Sequence, residues 1–338
     1  DYSAGRLIME QPEDYVCIQG DYIDSGNRET TDDLTAGLLE LQGSMIAADD
    51  LQHPLFRASG SHTLKLSGRG EQSIQTGKRY RDSFSVQNLI VDQPENGSVV
   101  FGAEVGVKGT VTHVSHKVSG KTVLMSDARI AGDTMYGDVV IRGEYSFTQN
   151  VTIHGDLYLG WGYFRNYVFQ DAHVMVDGSL YAANTIIKMS GDAELSVQGD
   201  YIVTEGSNTI QSGTVRIYGD ITNQKNTRVS LSSDAEATVI LCGSQQQTIA
   251  VSSGSSIFEN IVVDNEDGVV VEDNISVVNV ASEHGILSYA SGAVHGFTVE
   301  EDGEYDGDLE IGGGVLDLNG HSYHVKGNLT IVGGTLCM

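Results

Sequence analysis

With 338 residues, 46 acidic against 19 basic side chains and a net charge of −27, the chain lacks the basic faces that nucleic acid or an anionic membrane requires. No apolar run reaches the length of a membrane-spanning helix. The 41 glycines beside 3 prolines point to many tight turns without disordered linkers, and the acidic charge is compatible with divalent cations and with a secreted, highly soluble protein. From its first residues the chain repeats one phrase, in which apolar and polar residues alternate until a glycine followed by Asp, Asn or Ser ends the run. It stands at Cys17 to Tyr22 (CIQGDY), Leu39 to Met45 (LELQGSM), Met135 to Val140 (MYGDVV), Thr152 to Leu157 (TIHGDL) and Met175 to Leu180 (MVDGSL). Its fullest forms are Glu194 to Tyr201 (ELSVQGDY) and Thr214 to Ile221 (TVRIYGDI), and it closes with Glu304 to Leu309 (EYDGDL) and His324 to Leu329 (HVKGNL). Alternation is the period of a strand with one buried face. A glycine corner suits positive φ, and the Asp, Asn or Ser after it can bond the corner's backbone. One strand and one corner per 20 or so residues is the unit of a solenoid, whose coils bury their apolar faces only by stacking.

A longer repeat overlies the short one. Gly20-Asp21-Tyr22-Ile23 matches Gly199-Asp200-Tyr201-Ile202, Gly68 to Ile74 matches Gly243 to Ile249, and Asn88 to Asp92 matches Asn260 to Asp264. This reads as a tandem duplication of about 175 residues, copy one over 20–190 and copy two over 199–338, within one solenoid spanning 1–338. The fold class expected is all-β, a right-handed parallel β-helix with roughly 20–22 residues per coil and roughly 16 coils. The segment Leu34 to Leu41 has the spacing of a capped helix, but its partner Thr214 to Tyr218 has strand composition, so both are assigned as strands. The segment between Met45 and Gly60, with Pro54, reads as a lateral excursion, and residues 110–135 as one poorly repeated coil. Lys78, Arg79 and Arg81 form the concentrated basic patch, a solvated loop or a holder of acidic glycan. Cys17, Cys242 and Cys337 are read as buried small hydrophobes. The chain opens in mid-pattern at Asp1, as expected of a fragment of something larger.

Four groups of residues have the makings of a site. Tyr158, Trp161, Tyr163, Phe164, Tyr167 and Phe169 are the densest aromatic cluster; exposed on a flank they would stack on sugar rings, and otherwise they pack over the coil wall. Asp302, Glu304, Asp306 and Asp308 supply oxygen ligands suited to Ca²⁺, but without the spacing of a calcium-binding hand, so a solvated loop is the plainer reading. Asp138, Asp156, Asp200 and Asp220 recur at one coil position, where Ser179 and Asn328 also occur; that tolerance indicates corner capping rather than catalysis. His113/His116 and His321/His324 are three apart, which on a strand puts the two rings on opposite faces.

Across GSHTLKLSGRGEQSI, FSVQNLIVD and GGGVLDLNGHSYHVKGNLTIVGGTL, the sequence resembles the right-handed parallel β-helix regions of large bacterial surface and secreted proteins. These are filamentous-haemagglutinin-like adhesins and the multi-domain extracellular proteins of Gram-positive bacteria. The resemblance implies an extracellular or cell-surface stalk that presents other domains of a larger polypeptide and touches host or cell-wall glycans, with no catalytic residues of its own. The alternative is a polysaccharide lyase or glycoside hydrolase of the same architecture. Three or more Asp, Glu, Lys or Arg side chains converging in one lateral groove would favour the enzyme.

Overall fold

Alternating apolar residues that recur once per coil can be buried only if each strand lies directly on the equivalent strand of the next coil, and that is the arrangement found. The computed structural model describes all residues except 1–5, 25–32, 48–55, 76–83, 161–164, 225–228, 232–236, 252–255, 273–274, 293 and 300. Its regular elements are all strands, wound into a parallel β-solenoid of about 13 turns. The chain divides into two compact units, Asp1–Tyr145 with Val151–Tyr158, and Ser146–Asn150 with Leu159–Met338.

In the first unit, six strands form one parallel sheet: Tyr15–Ile18, Leu38–Leu41, Thr63–Leu66, Asn88–Val91, Thr110–His113 and Arg129–Ile130. In-register pairing sets Leu39, Leu64, Leu89, Val111 and Ile130 in one column and Leu41, Leu66 and Val91 in another, all buried. Each such side chain contributes about 1.5–3 kcal/mol by leaving water. A second face runs from Tyr22–Asp24 through Met45–Ala47, Glu71–Gln75, Ser98–Val107 and Val118–Met125 to Asp138–Arg142. Ser98–Val107 breaks register between Phe101 and Val105, so its first half lies on Glu71–Gln75 and its last residues on Phe84–Val86. Phe84–Val86 in turn lies on Phe56–Arg57.

The second unit repeats the scheme. His173–Val176, Glu194–Val197, Gly213–Ile217 and Ala237–Leu241 stack in parallel, which aligns Val174, Leu195, Val215 and Val239 beside Val176, Val197, Ile217 and Leu241. These eight side chains are at most 1% exposed, so the inward ladders of the sequence reading are present. Leu180–Ala183, Tyr201–Glu205, Ile221–Asn223, Gln247–Ala250, Val269–Val271 and Leu287–Tyr289 form a second face. Among the described residues one antiparallel step, Ser288 opposite Val294, precedes a small separate cluster of Val294, Val299, Leu309, Ile311 and Leu316.

Several expectations change. There are about 13 turns rather than 16, and coil length varies: Leu38 lies under Thr63 and Thr63 under Asn88, 25 residues each time, while Thr134 lies under Thr152, 18 residues on. Leu38–Leu41 is a strand, as its partner segment implied. Residues 110–135 are not irregular; Thr110–His113, Val118–Met125, Arg129–Ile130 and Thr134–Tyr136 all pair in parallel. Cys17 and Cys337 are exposed and Cys242 half-buried, because Cys17 shares the outward face of its strand with Tyr15 while Val16 and Ile18 point the other way. The excursion after Met45 and the patch of Lys78, Arg79 and Arg81 lie largely or wholly outside the described residues.

The reason for glycine at the corners also changes. Gly137 has the expected positive φ (78°), but Gly43 and Gly155 do not. What those two share is stacking: a Cβ at Gly43 would press into the carbonyl group of Gly20, and one at Gly155 into that of Gly137. The corner excludes side chains because consecutive corners touch backbone to backbone. Gly43→Ala is therefore expected to cost about 2–3 kcal/mol in urea denaturation. Gly70→Ala, where nothing lies within 4 Å of the added methyl and φ is not positive, serves as the control. Equal effects at the two positions would contradict the stacking explanation.

Candidate functional site

The polar residues at the corners bond along the coil axis. Asp21 accepts the Ser44 N–H (2.7 Å), Asp138 that of Asp156 (3.1 Å), Asp200 that of Asp220 (2.8 Å) and Asp308 that of Asn328 (2.7 Å). Ser179 does the same for Asp200 (3.1 Å) and Asp220 for Thr248 (2.7 Å). Each of these oxygens caps the backbone of the following coil, as the sequence pattern indicated. A carboxylate held this way is a staple between coils, not an acid or base waiting for substrate.

Two buried glutamines extend the stapling. Gln72 takes the Gly68 N–H on its carbonyl (2.7 Å) and donates to the Leu41 and Gly43 carbonyls (2.9 and 2.6 Å), while Gln93 donates to Gln72 (2.5 Å). Gln247 repeats the set with the Gly243 N–H (2.8 Å), the Ile217 and Gly219 carbonyls (3.0 and 2.5 Å) and Asn265 (3.0 Å). Ion pairs run the same way: Lys65 lies 3.8 Å from Glu40 and 3.0 Å from Asp92, and Arg216 lies 3.0 Å from Glu194. Hydrogen bonds from the Ser67 and Tyr15 hydroxyls hold the Glu40 carboxyl below its ordinary pKa.

The described members of the aromatic cluster, Tyr158, Tyr167 and Phe169, do not share one exposed surface. Tyr167 and Phe169 are fully buried; the Tyr167 hydroxyl accepts the Gly160 N–H (2.6 Å) and Phe169 stacks on Phe147 at 4.8 Å. Tyr167 is thus a core residue, the correction to its reading as a sugar contact. Its place in the alternation of Arg165–Gln170 turns the ring inward. Tyr158 is half-buried, with Lys121 Nζ 3.7 Å from its ring centroid. Trp161, Tyr163 and Phe164 lie outside the described residues.

The four acidic residues proposed for Ca²⁺ each have a partner in the following coil. Asp302 accepts the Ser322 N–H (2.7 Å), Lys326 lies 2.7 Å from Glu304 and 3.8 Å from Asp306, and Asp308 holds Asn328. Among the described residues no group of three or more His, Cys, Asp or Glu side chains converges as metal ligands would. His113 and His116 do point to opposite sides, one buried and one exposed, yet both meet Tyr136: its N–H donates to His113 Nδ1 (3.0 Å), and its hydroxyl lies 2.6 Å from His116 Nδ1. The Tyr136 ring stacks on His154 at 4.8 Å. Strand spacing alone missed this because the shared partner comes from the next coil.

One recess on the first unit brings opposite charges together on an outer face. Arg57, Phe84, Ser85, Glu104, Gly106, Lys108, Val123, Met125 and Arg142 line a cavity of about 220 Å³. In-register pairing sets Arg57 against Ser85, Ser85 against Gly106, Gly106 against Val123 and Met125 against Arg142. Small residues in the middle of this row leave a hollow between the long cations at its ends. Glu104 sits in the register break of Ser98–Val107, where a bulge re-aims a side chain, and forms an ion pair with Arg142. The sequence reading missed all four charged residues, which lie up to 85 positions apart (Arg57 to Arg142) and carry no motif. No protein-family profile matches the chain, and no curated protein or solved structure shows significant similarity to it.

Proposed function

We propose that the chain is a structural and adhesive segment of a large extracellular protein, a scaffold that holds other domains at a cell surface and contacts glycans. The observation that supports this reading is the use made of its charged and polar groups. The corner carboxylates, the two glutamines and most of the ion pairs named above join one coil to the next, which suits a body built for rigidity.

One observation favours the second reading, a polysaccharide lyase or hydrolase: Arg57, Glu104, Lys108 and Arg142 do converge in a lateral recess. Hydrolysis of a glycosidic bond ordinarily needs two carboxyl groups flanking it. The recess lining contains one, and Arg142 engages it. The test is to pass glycan-coated beads over the immobilised chain while assaying the supernatant for new reducing ends and unsaturated sugar products. Bead retention without product is the expected result; product release would replace the scaffold with an enzyme.

A further inference from the structure

We propose that the open edge of Ile275–His284, in the second unit, takes up an extended peptide segment of a partner protein, apolar where it faces the core and basic where it faces water. This goes beyond the scaffold reading and does not rest on it.

The first argument is the backbone. Ile275–His284 pairs in parallel with Ser256–Asp264, and among the described residues no other strand pairs with it. The chain does not lay its next coil there. After Leu287–Tyr289 it turns back, with Ser288 opposite Val294, and its following residues bond onward: the Gly296 N–H to the Gly313 carbonyl (2.9 Å) and the Val299 N–H to the Asp317 carbonyl (2.8 Å). A strand bonded on one side directs the N–H and C=O groups of alternate residues away from its neighbour. Natural edges are short, covered, or guarded by Lys or Pro. This one is ten residues long and contains no Lys, Arg or Pro. A sugar has no matching row of donors and acceptors, whereas another extended backbone does.

The second argument is burial. In-register pairing carries one inward ladder from Val239 to Ile261 to Val280, and sets Phe258 opposite Val277. Val239, Ile261 and Phe258 are at most 1% exposed, but Val277 and Val280 are only half-buried. The apolar cluster that follows, around Leu309 and Ile311, draws its packing partners from Ile286 onward and includes neither valine. A strand that completes these ladders therefore needs apolar side chains three residues apart, opposite Val277 and Val280. The third argument is charge. Glu283 is exposed at the far end of the edge, and Asp264, Glu266 and Asp267 line a neighbouring recess of about 340 Å³ together with His284. With a net charge of −27, a second copy of this chain is repelled, while a Lys or Arg opposite Glu283 forms a cross-strand pair of opposite charge.

The experiment titrates the 338-residue protein into a fluorescent ten-residue peptide and follows amide exchange in parallel. The peptide has valine at its third and sixth positions, lysine at its ninth and tenth, and threonine elsewhere, so that in register with Ile275–His284 its valines face Val277 and Val280 and its lysines Glu283 and His284. Comparison peptides replace both lysines by glutamate, set the two valines side by side, or carry N-methyl groups on the odd or on the even residues. The expected result is binding with slowed amide exchange in Ile275–His284 and none in Gly213–Ile217. The glutamate peptide should bind about tenfold more weakly, and one of the two methylation patterns should abolish binding while the other is tolerated. Glu283→Lys, an exposed change, should reverse the preference between the lysine and glutamate peptides. Where that variant melts at a lower temperature, the peptide series on the unaltered protein decides the matter. No binding, exchange unchanged at this strand, equal binding of all the peptides, or indifference to methylation overturns the proposal. Sedimentation of the protein alone should show a monomer; a dimer that the peptide dissociates would give the edge to a second copy and overturn the partner named here.

Discussion

Acidification from about pH 6.5 to about pH 4 is expected to remove on the order of 6 kcal/mol of stability through two buried imidazoles, His62 and His113. His62 is fully buried beside Phe56, at a ring separation of 6.1 Å, and among the described residues neither of its nitrogens has a hydrogen-bond partner. His113 is 8% exposed; Nδ1 accepts the Tyr136 N–H, and Nε2 is buried without a partner. Burial penalises the charged ring and pushes both groups down to about 4. An unfolded histidine takes its proton near pH 6.5, so between that value and about 4 the unfolded chain binds more protons and stability falls with pH. Each ring contributes about 3 kcal/mol over the full window. Burial lowers His295 in the same direction. His284 has the opposite sign, since its hydrogen bond with Asp264 raises it; it stabilises below the ordinary histidine value and loses that effect as pH rises, but it is exposed and weighs little. The lowered Glu40 carboxyl acts in the same direction at the acid end, contributing stability above the ordinary carboxylate value and losing it as pH falls from that value through its own lowered one. Urea midpoints measured from pH 7 to pH 4 should fall steeply for the unaltered protein and less for His62→Phe, which keeps a ring against Phe56. Parallel profiles for the two proteins would contradict this account.

The other large effect is expected at the glutamine staples. Gln72→Leu keeps the volume but leaves the Gly68 N–H, the Gly43 carbonyl and the Gln93 amide without their partner, and takes one of two donors from the Leu41 carbonyl, which keeps the Ser67 N–H. Buried groups left unsatisfied cost about 1–3 kcal/mol each, some of which relaxation and entering water recover, so a loss of about 4 kcal/mol is expected. Gln247→Leu removes the same bonds in the second unit and should cost a similar amount. Amide exchange should accelerate first in Leu38–Leu41 and Glu71–Gln75 for the first variant, and in Gly213–Ile217 and Gln247–Ala250 for the second. A loss below about 1 kcal/mol in both would mean that neither glutamine joins its coils.

The recurrence of this bond set at Gln72 and Gln247, 175 residues apart, agrees with the internal match of Gly68 to Ile74 with Gly243 to Ile249. We propose on that basis that the chain arose by tandem duplication. Strand alternation made the fold legible, because inward residues such as Leu195, Val197, Val215 and Ile217 must repeat once per coil to be buried at all. The corner Asp residues were legible for a related reason, since Ser179 at the same coil position performs the same bond. The recess was not. Arg57, Glu104, Lys108 and Arg142 project from an outer face, where no apolar constraint imposes a pattern, and they meet only once the register of five strands and the bulge near Glu104 are known. Tyr167 misled for a similar reason: a dense run of aromatics does not say which of its members the strand turns inward.

In-register parallel stacking of coils underlies everything above, and spin-label distances within the first unit test it most directly. Tyr15, Leu38, Thr63 and Asn88 are successive partners, and the pairing of Thr110 with Arg129 continues the same sheet. Labels on Tyr15 and Asn88 should report a backbone separation of about 14 Å, and labels on Tyr15 and Arg129 about 24 Å, one strand spacing per coil. Separations that do not grow by one spacing per coil, or that place Arg129 nearer to Tyr15 than Asn88 is, would contradict the solenoid.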